Sequence, residues 1–549
     1  MTRPGGNSKS FFLLFSPTCT NFAATINEKQ STMITFIISL VALVLGYLVY
    51  GAIVERVMRP DDRETPSIRL ADGVDYVALP TWKVFMIQFL NIAGTGPIFG
   101  AIMGMWFGPA SYLWIVLGCI FAGAVHDFMS GMLSLRHDGA NLPTLIGKYL
   151  GNGTRVVMLI FTVLLLMMVG AVFVYSPALI LKDMWGGDDA TIWWIVTIFG
   201  YYVVATLLPI DKIIGRVYPL FAIALLVMAA GLLLGLFVKM PHLPELWNMG
   251  DLSQWTGSHV VDGKDTLGVT AYLQKNPIFP CLFITIACGA ISGFHATQSP
   301  LMARCLKSER LARPVFYGAM ITEGIVALIW ATVSSYFFYY GGWKEVVSPE
   351  QVTEFMAQVQ LADGKTLIQY FTAPQVVNLV CSGWLGIVGG TLAVLGVVAA
   401  PITSGDTAFR SARLIIAEAL HFEQKSMVRR LMISVPLFVA SLLLLIWQME
   451  NPNGFNVLWQ YFGWSNQALS VFTLWMITVY LARNHKAYII TLIPAIFMTV
   501  VCTSFLIASP QALGHGEWTP WVAMAVIVVA VVWFAAWLRK NRTVTPPSR

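Results

Sequence analysis

Charged residues are scarce in this chain. They make up 11% of its 549 residues, whereas 57% are hydrophobic and the mean hydropathy is +0.70. A soluble protein of this length could not hide that much apolar surface from water. The net charge of +6 comes from basic residues dispersed over short loops, a pattern typical of membrane orientation and unlike a nucleic-acid-binding patch. We therefore predict an integral membrane protein in contact with the lipid bilayer and without a nucleic-acid partner.

Catalytic and nucleotide-binding motifs are missing as well. The sequence has no HExxH, GxxxxGK(S/T) or GxSxG motif. Its seven cysteines form no CxxC pair, and most lie in apolar runs, where a thiol behaves as a small hydrophobic group. These absences argue against an ATP-driven pump, an intramembrane metalloprotease, a disulfide framework and a metal–thiolate site. We predict no catalytic residue, no metal and no organic cofactor.

Long apolar runs dominate what is present. Since about 20 apolar residues cross a bilayer as a helix, the runs predict an all-α polytopic membrane protein with about 13 transmembrane helices. Residues 1–32 form a polar leader that is either disordered or the result of a mis-assigned start, with translation beginning at Met33; a short external tail is the alternative. The predicted spans are 33–54, 84–106, 109–133, 155–182, 191–209, 217–238, 277–301, 314–340, 383–407, 429–447, 456–481, 487–508 and 518–538.

Basic residues divide unequally between the two sides of this topology. When alternate loops are assigned to one side, that side holds 25 of the 34 Lys and Arg residues. The positive-inside rule then predicts an external N-terminus and a cytoplasmic tail at 539–549.

Two of the predicted spans are interrupted by glycine, proline and small polar residues. The first break is Asn91–Pro97 and the second is Gly289–Pro300. Backbone groups freed in hydrocarbon are costly, so a break is tolerated where the open backbone lines a cavity or where a kinked helix packs closely on a neighbour. Paired breaks in two halves of a chain are the best sequence pointer to the substrate site of a secondary transporter.

The breaks lie in the second and seventh spans, which run antiparallel because they are five spans apart. Antiparallel broken helices are what an inverted-topology repeat requires. We therefore predict a peripheral helix at 33–54, five-helix repeats at 84–238 and 277–481, and two peripheral helices at 487–538.

The substrate site is predicted between the two breaks. Glycines allow the backbone to unwind, and the half-helix after Pro97 offers N–H groups to an anion such as a carboxylate. The imidazole of His295 could bond a substrate, carry a proton, or hold a freed carbonyl as a purely structural group. The predicted substrate-binding residues are Asn91, Gly94, Thr95, Gly96, Pro97, Ser292, Gly293, His295, Thr297 and Gln298.

The ninth span ends in hydroxyl and carboxylate groups. Thr403, Ser404 and Asp406 offer the hard oxygen ligands that suit Na⁺, and a backbone carbonyl near Ala93 would complete the set. Asp406 could instead exchange a proton, or pair with Arg410 one helical turn away. We predict that the coupling ion, H⁺ or Na⁺, binds here.

Three further ionisable residues lie in predicted spans. His126 and Asp127 end the third span, at a shallow position near the inner face where we expect gating or anchoring of a loop in preference to substrate contact. Glu323 lies deeper, as a functional candidate or as a bonding partner for a neighbouring helix. We predict that the three residues contribute to gating.

Several motifs, taken together, resemble a known family. They occupy 92–100, 121–128, 136–139, 289–300 and 403–410, and the similarity runs from about residue 33 to about residue 483. The chain resembles the carbon starvation protein A family, whose members are bacterial inner-membrane transporters. The resemblance implies uptake of peptides or pyruvate, coupled to a cation gradient and often linked to carbon limitation. It also implies a core similar to the five-plus-five core of the amino-acid/polyamine/cation superfamily.

We therefore expect a cation-coupled secondary transporter of the bacterial inner membrane that imports a small molecule, either a peptide or a small carboxylate such as pyruvate. The alternative is a membrane sensor or channel that binds the same solute without coupled transport. A sensor usually carries an output domain, and 539–549 is too short to form one. The sequence separates neither peptide from pyruvate nor proton from sodium.

Overall fold

Helices form nearly all of the regular structure. The computed structural model describes residues 33–186, 190–207, 214–249, 260–261, 264–359, 364–422, 424, 426–451, 454–509 and 512–541. The predicted leader at 1–32 and residues 542–549 of the predicted tail lie outside the described residues. In the described part, the strands are the two-residue segments Val260–Val261 and Lys264–Asp265, paired antiparallel in a loop. The all-α prediction is confirmed.

The helices follow one another along the chain with short connections. They are α1 (Ile34–Met58), α2 (Pro66–Arg69), α3 (Thr81–Ile92), α4 (Gly96–Phe107), α5 (Ala110–Leu135), α6 (Leu142–Leu150), α7 (Asn152–Trp185), α8 (Ala190–Leu207), α9 (Ile214–Lys239), α10 (Val269–Lys275), α11 (Ile278–Thr285), α12 (His295–Ala303), α13 (Glu309–Tyr339), α14 (Pro349–Val359), α15 (Leu367–Tyr370), α16 (Ala373–Ala419), α17 (Met427–Glu450), α18 (Gly454–Arg483), α19 (Ile489–Ala508) and α20 (Gly516–Lys540).

Length and apolar composition identify the helices that are able to cross a membrane. Among the described residues there are 10 such helices, or 11 if the bent pair α3–α4 counts as one span. Two further predicted spans correspond to the pair α11–α12 and to α18, which is 30 residues long. The chain is thus a polytopic helical membrane protein. The count of 13, the domain boundaries and the five-plus-five repeat stay predictions.

The first break separates α3 from α4 at the predicted position. The axes of the two helices differ by 55°. Pro97 lies in the first turn of α4, where its missing N–H is not needed by the helix. The chain therefore turns between Ile92 and Gly96 and resumes a helix in a new direction.

The second break separates α11 from α12 and lies against the first. Ile286 leaves the helical conformation with φ −94° and ψ 78°. A Cβ atom on Gly96 would lie 2.3 Å from Sγ of Cys288, and one on Gly100 would lie 2.8 Å from the carbonyl oxygen of Thr285. Only glycine allows so close an approach. The two broken helices therefore cross at their breaks.

Helix α16 runs beside this crossing. It is 47 residues long and is interrupted at Gly386, whose backbone has φ 67° and ψ −176°. Its second half packs between α7, α9 and α3, and it carries the polar segment that follows Pro401. This packing brings the hydroxyl of Ser404 to the first break.

Candidate functional site

The first break carries buried polar atoms that no group in the described part of the chain satisfies. They are both side-chain amide atoms of Gln88 and of Asn91, and Oγ1 of Thr95. Buried polar groups in proteins are normally hydrogen-bonded, so these atoms are the groups with which a polar solute would bond. Asn91 and Thr95 were predicted from the sequence. Gln88 was not, although it lies almost one helical turn before Asn91.

Helix α4 offers fewer free N–H groups than the sequence indicates. The N–H groups of Ile98 and Phe99 donate to the carbonyl of Thr95 at 3.2 and 2.8 Å. Pro97 has no N–H group. Most backbone positions in the first turn of α4 therefore either donate a hydrogen bond already or have no hydrogen to donate. At this break, the side chains of Asn91 and Thr95 are better placed to bond a solute than the helix N-terminus. These hydrogen bonds argue against the predicted binding of an anion by the N–H groups at the start of this half-helix.

Asn466 of α18 stabilises the second break by accepting hydrogen bonds from it. Its Oδ1 atom accepts from the hydroxyl of Ser292 at 2.9 Å and from the N–H of Phe294 at 2.7 Å. Its backbone carbonyl accepts from the N–H of Gly293 at 3.1 Å. Ser292 and Gly293, predicted to bind substrate, therefore position the break. Sequence reasoning missed Asn466, whose signal was the pair of adjacent amide side chains, Asn466-Gln467, inside a predicted span.

The first turn of α12 adds one hydrogen-bond acceptor, on the side chain of Gln298, that has no partner among the described residues. The hydroxyl of Thr297 donates to the carbonyl of Phe294 at 2.6 Å and accepts from Nε2 of Gln298 at 2.8 Å. Oε1 of Gln298 is buried and has no hydrogen-bond partner among the described residues. Gln298 is therefore able to bond a solute, whereas Thr297 is engaged within its own turn.

Two histidines share one buried carboxylate beside the second break. Nδ1 of His295 lies 2.8 Å from Oδ2 of Asp127, and Nδ1 of His126 lies 2.8 Å from Oδ1 of the same residue. All three side chains are completely buried. The packing of α5 on α12 joins His126 and Asp127 to His295 and buries them inside the protein. Their shallow depth in the membrane stays a prediction.

Glu323 of α13 extends this group. Its Oε2 atom lies 3.5 Å from Nε2 of His295, and its side chain is also completely buried. Neither of its carboxyl oxygens has a hydrogen-bond partner in the described part of the chain. His126, Asp127, His295 and Glu323 thus form a continuous row of titratable groups, which we call the buried relay. Three of these residues were predicted as gating residues and one as a substrate ligand.

The thiol of Cys288 lies close to the relay. Donor atoms of Cys288, His295 and Glu323 all lie within 4.8 Å of one another, a spacing that could hold a metal ion. The thiol donates, however, to Oγ of Ser292 at 3.8 Å and also lies 3.7 Å from Nδ2 of Asn466. A metal ligand would be a thiolate. We therefore assign Cys288 to the packing of the second break.

The residues predicted to bind the coupling ion do not converge. Ser404 donates to the carbonyl of Asn91 at 2.9 Å, whereas the hydroxyl of Thr403 donates to its own helix. Asp406 points elsewhere, since its carboxylate accepts from Tyr218 at 2.5 Å and from Thr206 at 3.3 Å. Ala93 lies in the first break, with its N–H bonded to Phe89. Only Ser404 and Ala93 of the predicted set lie at the break.

A cleft of about 600 Å³ leads to the crossing of the broken helices. Phe99 of α4 and Thr285 of α11 form its inner wall. Lys275 and Gln369, in loops predicted to face the outside, also line the cleft, as does Trp459 of the predicted span 456–481. Sequence reasoning missed this cleft, because the loops that build it are far apart along the chain.

Sequence comparisons relate the chain to named transporters. The family model described as "Carbon starvation protein CstA" matches residues 31–186 and 177–505. A peptide transporter CstA of Campylobacter jejuni is 26% identical over 578 residues, which cover 88% of this chain and 81% of that protein. The pyruvate/proton symporter BtsT of Escherichia coli is 30% identical over 366 residues, 55% of this chain and 49% of that protein.

A further relative and a solved structure complete the comparison. An uncharacterized membrane protein of Haemophilus influenzae is 45% identical over 353 residues, 56% of this chain and 92% of that protein. A crystal structure of a manganese transporter mutant of Eremococcus coleocola has a TM-score of 0.50 at 12% identity, covering 86% of this chain and 99% of that chain. At this identity the likeness concerns the fold alone. The chain belongs to the carbon starvation protein CstA family, and it is a multi-pass membrane protein whose named relatives are transporters and not enzymes.

Proposed function

We propose that this protein is a proton-coupled secondary transporter that imports peptides or a small carboxylate such as pyruvate across the bacterial inner membrane under carbon limitation. The names of its relatives support both solute classes, and one relative is a proton symporter. The observation that carries the proposal is the buried relay of His126, Asp127, His295 and Glu323 beside the second break.

The relay is suited to bind and release a proton because it holds two carboxyl groups and two imidazoles out of contact with water. Charges in such surroundings must be neutralised locally. One proton between His295 and Asp127 makes an ion pair. A second proton on Glu323 or His126 leaves the group neutral, and its loss leaves a buried negative charge. The relay therefore favours a fixed number of protons, and a change in its surroundings changes that number.

Binding of the solute would change the electrostatic surroundings of the buried relay. Asn91, Thr95 and Gln298 hold buried polar atoms without hydrogen-bond partners among the described residues, and they lie at the two breaks. His295 begins α12, the same short helix that carries Gln298. A solute bonded to Gln298 would thus be close to the relay, so binding of a carboxylate would favour the protonated relay through its negative charge.

Uptake into proteoliposomes tests the proposal. Labelled pyruvate and dialanine are offered with an inward proton gradient or an inward sodium gradient, each imposed alone. We expect accumulation of at least one solute with the proton gradient. Accumulation only with sodium would overturn proton coupling, and entry of both solutes only down their own gradients would favour a channel.

Glu323→Gln makes the test specific to the relay, because an amide keeps the shape of the side chain but does not gain or lose a proton in this pH range. We expect the variant to lose proton-driven accumulation while it still exchanges internal for external solute. Glu450→Gln is the matched control, since Glu450 is exposed at the end of α17. Full proton-driven accumulation by Glu323→Gln would remove the relay from the coupling mechanism.

A further inference from the structure

An apolar groove of about 760 Å³ lies between helices α18, α19 and α20, beside the start of α7. Phe472 and Val479 of α18 line one wall, and Val526 and Val529 of α20 line another. Among the described helices that are able to cross a membrane, α20 is the most exposed, since only 6% of its most apolar stretch is buried. A groove beside so exposed a helix is in contact with the lipid bilayer.

Trp475 of α18 forms the floor of this groove and contacts α20. The centroid of its ring lies 5.5 Å from that of Trp533 and 5.8 Å from that of Phe534. Its indole N–H donates at 3.1 Å to the hydroxyl of Thr499, which in turn donates within α19. The hydroxyl of Thr503 also donates within α19. The polar groups on this part of the wall are thus satisfied, so the groove suits an apolar chain better than a polar solute.

Arg483, the last residue of α18, lines the end of the groove that is predicted to face the cytoplasm. Its guanidinium lies over the ring of Tyr149 at 6.0 Å from the centroid and over that of Trp537 at 5.9 Å. A guanidinium nitrogen also donates to the backbone carbonyl of Tyr149 at 3.4 Å. Among the described residues, Arg483 contacts aromatic rings and a carbonyl but no carboxylate. Its positive charge is therefore open to an anion.

The chain segments that form this groove carry positive charge only. Residues 139–155, 472–507 and 525–541 contain two basic residues each and no Asp or Glu. All six basic residues lie in parts predicted to be at the cytoplasmic face or just inside it. An anionic headgroup at the end of the groove would thus be attracted by these segments and repelled by no carboxylate in them.

The groove is about as long as one leaflet of a bilayer. Phe472 and Arg483 are 11 residues apart on α18, which corresponds to about 16 Å along a helix. Ala525 and Trp537 are 12 residues apart on α20, or about 18 Å. The hydrocarbon core of a bilayer is about 30 Å thick, so each leaflet takes up about 15 Å. An acyl chain whose headgroup is beside Arg483 would therefore extend along the whole groove.

We propose that this groove binds one anionic phospholipid from the leaflet that is predicted to be cytoplasmic. Its phosphate pairs with the guanidinium of Arg483, and an acyl chain packs on Trp475, Val479 and Val529. The lipid joins α20 to α18, the helix whose Asn466 stabilises the second break. This inference does not depend on the identity of the transported solute or of the coupling ion.

Native mass spectrometry of the purified, full-length protein tests the proposal. After removal of bound lipid in detergent, anionic dioleoyl phosphatidylglycerol and zwitterionic dioleoyl phosphatidylcholine are offered together in equal amounts. We expect one lipid to be retained per protein molecule, with phosphatidylglycerol preferred about fivefold, the factor that one basic residue near a membrane surface provides. Glycerol 3-phosphate at the same concentration, which has a phosphate but no acyl chain, should not be retained.

Two pairs of variants assign the lipid to this groove. Arg483→Gln should abolish the preference for phosphatidylglycerol, whereas Arg216→Gln should keep it, since Arg216 is exposed on α9 outside the groove. Val529→Trp fills the groove and should lose the retained lipid. Val532→Trp should keep the lipid, because Val532 is 61% exposed on the same helix, close to the 66% of Val529, but does not line the groove.

Several results would contradict the proposal. Equal retention of the two lipids by the original protein, or retention of neither, would overturn it without the need for any variant to fold. Full retention of lipid by Val529→Trp would show that the lipid binds elsewhere. A dimer of the original protein that Val529→Trp converts to a monomer would assign the groove to a second copy of the chain. Retention of glycerol 3-phosphate would assign Arg483 to a soluble phosphate compound.

Discussion

Ser404 and Asn91 are joined across the first break. The hydroxyl of Ser404 lies 2.9 Å from the carbonyl of Asn91 and 3.2 Å from that of Leu90. These carbonyls belong to the last turn of α3, where a helix leaves its acceptors without partners. One side chain of α16 thus satisfies the end of a broken helix that is more than 300 residues away in the chain.

Ser404→Ala should destabilise the first break. Loss of the hydroxyl leaves buried carbonyls without a donor, which costs about 1 kcal/mol or somewhat more. We expect a lower melting temperature in detergent and slower uptake, with no change in the driving ion. Thr391→Ala is the control, since Thr391 is half-buried on the same helix and its hydroxyl donates to the carbonyl of Ile387 in that helix. A large change in sodium dependence would instead favour a sodium site at Ser404.

Substitutions at the glycines of the breaks should differ in severity. A Cβ atom on Gly293 would lie 2.4 Å from the carbonyl oxygen of Asn466, whereas one on Gly94 would lie 2.8 Å from the ring of Phe173. The backbone carbonyl of Asn466 can move aside less easily than the ring of Phe173. Gly293→Ala should therefore lower the free energy of unfolding more than Gly94→Ala does, by about 1–3 kcal/mol.

The same comparison has a control and a stronger test. Gly200→Ala should be neutral or stabilising, because no atom outside the neighbouring backbone of its own helix lies within 4 Å of the added Cβ. Gly94→Leu and Gly293→Leu should both abolish uptake, while the Gly94→Leu protein still inserts in the membrane. Normal uptake by both leucine variants would show that the breaks are packing kinks without a role in binding.

Asp406→Asn should leave the coupling ion unchanged. Its carboxylate accepts hydrogen bonds from Tyr218 and Thr206, and it points away from both breaks. We expect slower uptake with the same dependence on the proton gradient, and Tyr218→Phe should show a similar effect. Loss of gradient-driven accumulation with intact exchange, seen for Asp406→Asn alone, would make Asp406 the proton carrier and contradict the assignment to the relay.

The orientation predicted from the basic residues determines which positions an impermeant thiol reagent should reach in intact cells. Arg310→Cys should be labelled only after the cells are opened, and Lys275→Cys should be labelled from outside. The side chain of Arg310 is 63% exposed, and the six cysteines in the described part of the chain are buried, so the background should be low once Cys19 is replaced by Ser. Labelling of Arg310→Cys from outside would invert the topology.

The sequence alone located the two breaks and identified the kind of protein. Glycine and proline act on the backbone at their own positions, so a run such as Asn91–Pro97 marks an unwound segment whatever surrounds it. Hydropathy is also a local property, which is why the helical membrane architecture and the residues at the first break, Asn91 and Thr95, could be predicted.

Only the tertiary structure decided which polar groups meet. His295 and Asp127 are 168 residues apart, and Asp75 and Arg413 are 338 residues apart. Their contacts depend on how each helix is rotated and where it crosses its neighbours. In a membrane, hydrophobic residues face both lipid and protein, so the apolar pattern does not reveal the buried face of a helix. That is the physical reason why the sequence assigned His126 and Asp127 to gating or loop anchoring near the inner face and did not reveal their contact with His295.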